Sequence, residues 1–129
     1  MKQGICIRTS GKVEDVEISD YTDMQKYVDG YIEALPIDEK KHGVSVYINE
    51  EGLIHELPIN MPACLWLLRN DKWPAFSSPI HGDVLIMGAT DGEGETPSVP
   101  DFVRKEIPNM LNEPRFEVHA LGEDFSDGS

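Results

Sequence analysis

Residues 29–60 alternate β-prone runs with turn residues, and this order constrains the fold more than any other stretch of the chain. Residues 31–37 and 44–48 are rich in aliphatic, aromatic and β-branched side chains, which are typical of strands. Asn49–Gly52 follows with the residue types that tight turns use, because glycine adopts positive φ without strain. The stretch therefore predicts two strands joined by a polar loop over 38–43, then a turn, and then a helix capped by Asn60.

Similar patterns on either side predict the remaining elements. Before this stretch we expect strands at 4–8 and 13–18 around a turn at 9–12, then a helix that Ser19 or Asp20 caps and that a left-handed Gly30 ends. After it, residues 63–68 are apolar all round, which indicates a helix buried on more than one side. The expected elements that follow are a strand at 84–87 closed by Gly88, a helix that Ser98 and Asp101 begin and that runs to Leu111, and a last strand at 117–121.

Together these elements predict an α+β fold. We expect an antiparallel or mixed sheet of about five strands in two layers, with two or three helices packed mainly on one face. The Gly-, Pro- and acid-rich segment 91–100 reads as a linker. It divides a compact domain at 1–90 from a C-terminal part at 101–129, which contains a helix, the last strand and an acidic tail. That helix either packs on its own sheet or engages another copy of the chain.

Several short segments in this order and spacing resemble a family of small uncharacterised domains, the domain of unknown function 3846. The segments are Gly30–Ala34, Tyr47–Gly52, Leu57–Asn60 with Ala63, and Ile80–Val84. The resemblance covers residues 5–88 and stops before Thr90. It implies a compact α+β domain and an origin in phages or mobile elements. It implies no catalytic residue, because no segment of the resemblance is a catalytic motif.

Charge is the second informative feature of the sequence. The formal net charge is −13, and it divides into −5 over residues 1–39, −1 over 40–90 and −7 over 91–129. Direct nucleic-acid binding is not expected, because phosphate contacts need clustered Lys and Arg. An anionic membrane surface is disfavoured for the same reason. A basic protein partner fits this charge, although a high net charge also simply keeps a small protein soluble.

The sequence predicts a cytoplasmic location. No apolar run approaches the roughly 20 residues that span a bilayer, and the N-terminus has no apolar core of a signal peptide. Cys6 and Cys64 fall in apolar patterns, where reduced cysteine behaves as a small hydrophobic residue.

Motifs for catalysis, metal binding or cofactor binding are missing from the sequence. The four histidines are scattered, with neither the i, i+4 spacing nor the cysteine pairs of zinc sites. There is no nucleophile elbow and no glycine-rich phosphate loop. Glu50 and Glu51 are better explained as turn residues than as an acid–base pair. We therefore expect no catalytic residues, no metal, no cofactor and no enzymatic activity.

Two segments are candidates for contacting a protein partner. Trp73 and Phe76 lie in a loop close to Arg69, and aromatic residues with arginine are common anchors of protein interfaces. Asp91, Glu93 and Glu95 alternate with glycine in the acidic linker. This pattern resembles oxygen ligands for calcium, but the distal glutamate of a calcium loop is missing, so a solvated linker that meets a basic partner is the better explanation.

These features favour a non-enzymatic accessory protein of phage type that acts by occupying a host protein or its partner. A host defence protein or a DNA-binding protein is one candidate target, with the acids of 14–39 and 91–129 partly imitating DNA. The alternative is an oligomer that sequesters a nucleotide-like signal, which needs a local basic pocket. We also expect a homo-oligomer, formed through the helix at 101–111.

Overall fold

A computed structural model describes residues 1–52, 54–69, 79–90 and 96–111. For residues 108–111 it describes the backbone alone. The described part folds into five strands and four helices. In chain order they are β1 (Lys2–Ile7), β2 (Val13–Ile18), α1 (Tyr21–Val28), β3 (Ile32–Ala34), α2 (Glu39–His42), β4 (Val44–Asn49), α3 (Met61–Arg69), β5 (Val84–Gly88) and α4 (Asp101–Leu111).

All five strands form one antiparallel sheet in the order β2-β1-β5-β4-β3. The β1–β2 hairpin pairs six residues of each strand, from Lys2 with Ile18 to Ile7 with Val13. β5 comes late in the chain but lies at the centre, between β1 and β4. The predicted α+β class and the five-stranded sheet are therefore confirmed, and the sheet is antiparallel rather than mixed.

Apolar residues cover both faces of this sheet, because the central strands alternate two apolar sets. One face of the sheet packs against α3 and α4. The core between them contains Ile5, Ile7, Val46 and Ile86 from the strands, Trp66 and Leu67 from α3, and Val103 and Ile107 from α4. On the other face Cys6, Tyr47, Leu85 and Met87 pack with Val16 and Ile18 of β2 and with Met24 and Val28 of α1. A strand buried on both sides shows a nearly continuous apolar run, as Val84–Met87 does.

The arrangement of the helices differs from the expected one. The described residues form four helices rather than two or three, and these make three layers with the sheet in the middle. α1 was expected to join the other helices on one face, but its short apolar stripe packs on the opposite face from α3 and α4. α4 packs on its own sheet, since Val103 and Ile107 are fully buried in the core.

Local details also differ from the sequence interpretation. The predicted loop at 38–43 contains the one-turn helix α2, which Asp38 caps by accepting the Lys41 amide. β3 is only three residues long, although the apolar run that predicted it extends to Ile37. At the end of α1 the left-handed residue is Asp29, with φ 61° and ψ 45°, rather than Gly30.

The start of α4 is a further correction. Ser98 does not cap the helix, because its hydroxyl accepts the Gln3 amide at 2.9 Å. The Gln3 carbonyl in turn accepts the Val99 amide, and the Pro97 carbonyl accepts the Gly88 amide. The segment before α4 thus bridges β1 and β5 beyond the point where their pairing ends. The strand predicted at 117–121 lies outside the described residues.

Candidate functional site

Only one of the six residues predicted to bind a partner lies in the described part of the chain. Arg69 is the last residue of α3 and is exposed there. Trp73, Phe76, Asp91, Glu93 and Glu95 all fall outside the described residues. Their predicted role stays a prediction.

A charged cluster around Arg8 is the most connected polar group in the described part. One terminal nitrogen of Arg8 donates to Asp83 at 2.9 Å and to the Tyr27 carbonyl at 3.3 Å, and the other donates to Glu14 at 3.0 Å. Asp83 also accepts the Thr9 amide at 3.0 Å. Lys12 adds a second cation 3.2 Å from Glu14. The cluster ties the hairpin to the start of β5 and to the end of α1.

The electrostatics of this cluster show that its charges are already satisfied. Burial disfavours the charged form of Arg8, but hydrogen bonds to Glu14 and Asp83 outweigh that effect and raise its pKa. The same bond from Arg8, followed by the one from Lys12, lowers the pKa of Glu14. An anionic ligand would have to displace two carboxylates to reach Arg8. We therefore assign the cluster a structural role.

Cys6 lies beside this cluster but has no feature of a reactive thiol. Its side chain is fully buried, and burial raises its pKa to about 12. Burial raises the pKa of Cys64 as well. The nucleophilic form of cysteine is the thiolate, so neither residue is a candidate nucleophile.

The segments that carry the family resemblance hold the turn at 49–52 and the segment at 54–60 against the sheet. Asn60 is fully buried; it donates to the carbonyls of Ile7 and Gly82 and accepts the Ala63 amide as the predicted cap of α3. Asn49 similarly donates to the carbonyls of Val28 and Asp29 at the end of α1. Buried amides that are fully bonded in this way fix geometry.

Gly52 completes this arrangement for a reason other than the expected one. It does not adopt a positive φ. A side chain there would place its Cβ 2.6 Å from the His81 carbonyl oxygen, so the glycine permits close approach of the turn to residue 81. The resemblance thus rests largely on residues that hold the fold together.

One surface is not accounted for by the fold, and it lies at the β3 edge of the sheet. β3 pairs only with β4 among the described residues. The Tyr31 carbonyl accepts the Glu50 amide, and Leu35 donates to the Val46 carbonyl. In an antiparallel pair, hydrogen-bonded positions alternate with positions whose backbone groups point away. The N–H and C=O groups of Ile32 and Ala34 therefore point outward from β4.

The side chains on one face of this edge are acidic and aromatic. Alternation along the strands places Tyr31 and Glu33 on the same face as Ile48 and Glu50, and we call these four residues the β3 edge surface. Tyr31 is 64% exposed, Glu33 and Glu50 are exposed, and Ile48 is half-buried. Neither glutamate has an ion-pair partner in the described part of the chain.

The opposite edge of the sheet provides a contrast. β2 is also acidic, but Glu14 pairs with Arg8 and Lys12, and Asp15 pairs with Arg104 at 3.1 Å. Only Glu17 is an unpaired acid on this strand within the described residues. The β2 edge is thus close to neutral locally, whereas the β3 edge surface retains its negative charge.

Sequence reasoning missed the β3 edge surface, although a signal for it was present. Tyr31 and Glu33 lie at alternate positions of a short β-prone run, which predicts a shared face. β3 lies at an edge because the other side of β4 pairs with β5, which begins about fifty residues after β3 ends. No local pattern contains that information.

No group of three or more His, Cys, Asp or Glu side chains in the described ranges is placed to hold a metal ion. None of the helices there is long and apolar enough to cross a membrane.

Comparison with known proteins places the chain in a family. The model of the domain of unknown function DUF3846 matches residues 1–112. This match includes α4, so the family region extends beyond Gly88, where the resemblance read from the sequence ended. No curated protein and no solved structure matches the chain. The match covers most of the 129 residues, and the chain therefore belongs to the DUF3846 family.

Proposed function

We propose that this protein is a non-enzymatic binding protein of phage type, and that it acts by occupying a basic protein partner through the β3 edge surface. One observation carries the proposal: an exposed tyrosine and two glutamates share one face at the β3 edge, and within the described residues neither the glutamates nor that edge has a partner beyond β4. On the opposite edge Glu14 and Asp15 pair with the protein's own cations, and among the described residues only Glu17 of β2 is left unpaired, so that edge carries less uncompensated charge than β3.

The chemistry of this surface suits a cationic protein. Tyrosine is enriched at the energetic centres of interfaces, because its ring buries a large apolar area while its hydroxyl still forms hydrogen bonds. Glu33 and Glu50 flank that ring and would pair with Lys or Arg of the partner. Complementary charge of this kind mainly increases the association rate and excludes acidic competitors.

The proposed mode of action is steric occupation of the partner. A host protein that binds nucleic acid has the basic surface that this edge would recognise, and a bound copy of this chain would block that surface. We place this action in the cytoplasm, which agrees with two buried cysteines that form no disulfide.

Comparative capture tests the proposal. The protein is immobilised as wild type, as the double variant Tyr31→Ala with Glu33→Lys, and as Glu17→Lys on the opposite edge. Proteins captured from a host lysate are quantified for each. We expect a basic protein that wild type and Glu17→Lys both retain and that the double variant loses.

The control variant makes the outcome specific. Glu17→Lys and Glu33→Lys make the same change of charge on the same face of the sheet, one at each edge. If all three proteins capture the same set, or if the two edges matter equally, the β3 edge surface is not the binding site and the proposal fails.

A further inference from the structure

We infer that the partner contributes a strand: an extended segment that alternates basic and apolar residues adds to the sheet along β3. This inference rests on the proposed function and specifies how the partner binds.

The backbone of β3 offers an open row of hydrogen-bonding groups. Tyr31 and Leu35 bond to β4, and hydrogen-bonded positions alternate in an antiparallel pair. Ile32 and Ala34 therefore each direct one N–H and one C=O away from β4. In the described part of the chain none of these four groups has a hydrogen-bond partner. An extended peptide can satisfy such a row in the register of an added strand, and those main-chain bonds supply much of its affinity.

The side chains of β3 indicate the pattern of the incoming strand. Residues directly opposite each other on neighbouring strands interact on the same face. On one face Tyr31 and Glu33 favour Lys or Arg, which can pair with the carboxylate and lie over the tyrosine ring. On the other face Ile32 packs against the core that contains Met24 and Val28, so an apolar residue extends that core. The partner strand therefore alternates basic with apolar residues.

A second copy of this chain fits the edge less well than a basic segment. Pairing β3 with β3 of another copy brings Glu33 of each strand close together on one face. Like charges opposite each other destabilise strand pairing, and acidic residues on edge strands are a common defence against such self-association. The same charge attracts a basic strand.

In the described part of the chain the β2 edge is open in the same way, but it carries less unpaired charge. The Arg8 amide donates to the Lys12 carbonyl, which sets the alternation of hydrogen-bonded pairs along the hairpin. The N–H and C=O groups of Val13, Asp15 and Glu17 therefore point away from β1. Its acids are largely paired with Arg8, Lys12 and Arg104. β2 is therefore an internal control: its backbone N–H and C=O groups also point outward, but most of its negative charge is paired.

The test uses a short labelled peptide that alternates lysine with valine, and its affinity is measured by fluorescence anisotropy at low salt. Ala34→Pro removes one outward N–H of β3 and leaves the bonds to β4 intact, since proline is tolerated at such edge positions. Glu17→Pro does the same at β2. We expect Ala34→Pro to weaken binding by about tenfold or more and Glu17→Pro to have little effect. A peptide with the lysines in one block should bind more weakly than the alternating one.

Each outcome decides the inference. Should Ala34→Pro fail to fold, as judged by its thermal melt, Glu33→Lys and Glu17→Lys provide the same comparison of edges through charge. Equal effects at the two edges, no loss with the β3 variants, or no binding of the alternating peptide to wild type would overturn strand addition. The proposed function can hold even if strand addition fails. The double variant at β3 could lose a lysate partner while the alternating peptide does not bind wild type. The partner would then contact the side chains of the β3 edge without adding a strand.

Discussion

Single polar side chains determine how the loops of this protein meet its sheet. Asn60 connects β1, the turn before β5 and the start of α3 through three bonds from one buried amide. Glycine at position 30 allows Asn49 to approach, since a Cβ there would lie 2.6 Å from the Asn49 Nδ2 atom. The end of α1, the edge strand β3 and the turn after β4 are thereby fixed relative to one another.

The roles of these residues were only partly predictable from sequence. Asn60 as a cap follows from its place before an apolar helix, but its bonds to Ile7 and Gly82 depend on a sheet that is formed from distant segments. The left-handed residue after α1 was assigned to Gly30 because glycine is the commonest choice. Asp29 takes that conformation instead, because aspartate is among the few other residues that tolerate it.

The buried thiol of Cys6 leads to a prediction about pH. Burial raises the pKa of Cys6 from 9.0 to about 12 in the folded protein. Between these values the unfolded chain releases the thiol proton and the folded chain retains it, so the free energy of unfolding falls as the pH rises. Urea unfolding across this range should show a steeper fall for wild type than for Cys6→Ala. Equal pH slopes in the two proteins would show that the thiol ionises in the folded state.

At the scale of elements, β2 and α3 were predicted closely and α2 was missed. β2 follows a turn and alternates outward acids with buried Val16 and Ile18, and α3 follows a clear cap and a long apolar run. α2 has only four residues and no buried side chain, so no periodicity could reveal it. The placement of α1 on the second face depends on which face of the sheet α3 and α4 already cover, and that information is not local.

Adjacent leucines of α3 provide a matched pair for testing its burial. Leu67 is 0% exposed in the core, whereas Leu68 is 37% exposed. Leu67→Ala should lower the free energy of unfolding by about 2–5 kcal/mol, and Leu68→Ala by less than about 1 kcal/mol. Denaturant unfolding of both variants measures the difference. Similar losses for the two would mean that α3 is rotated from the position described here.

The position of α4 changes the expectation for a shortened chain. Val99, Val103 and Ile107 belong to the main core, so a chain ending at Thr90 loses part of that core. We expect this shorter chain to unfold at a much lower temperature by circular dichroism. A shorter chain as stable as the full one would show that α4 is an independent arm.

Sedimentation of the full chain tests the separate prediction of a homo-oligomer, and a monomer at micromolar concentration would contradict it.

At the scale of the whole molecule, the negative charge is divided between the described body and the rest of the chain. The described residues contain fifteen acidic and nine basic side chains, for a net charge of −6 out of −13. Within that body the acids of 14–39 are spread over β2, α1, β3 and α2, and five strands separate the β2 and β3 edges by about 19 Å. A protein of this size has a diameter of about 36 Å, and duplex DNA of that length carries about 20 phosphate charges.

Competition with DNA measures whether this charge is enough to imitate a duplex. We expect the protein to displace a basic DNA-binding protein from DNA only weakly, and less so as salt is added, because surface charges are screened. Glu33→Lys should reduce the displacement more than Glu17→Lys does. Displacement as strong as that by a DNA fragment of equal length would contradict the division of charge described above and support full imitation.

We propose that the partner of this protein binds along the edge of β3. Nuclear magnetic resonance of the isotope-labelled protein, titrated with the alternating lysine–valine peptide, tests it residue by residue. We expect the amide signals of Ile32 and Ala34 to shift most and to gain protection from hydrogen exchange, while those of Asp15 and Glu17 on β2 change little. Changes centred on β2, or on a surface away from both edges, would contradict it.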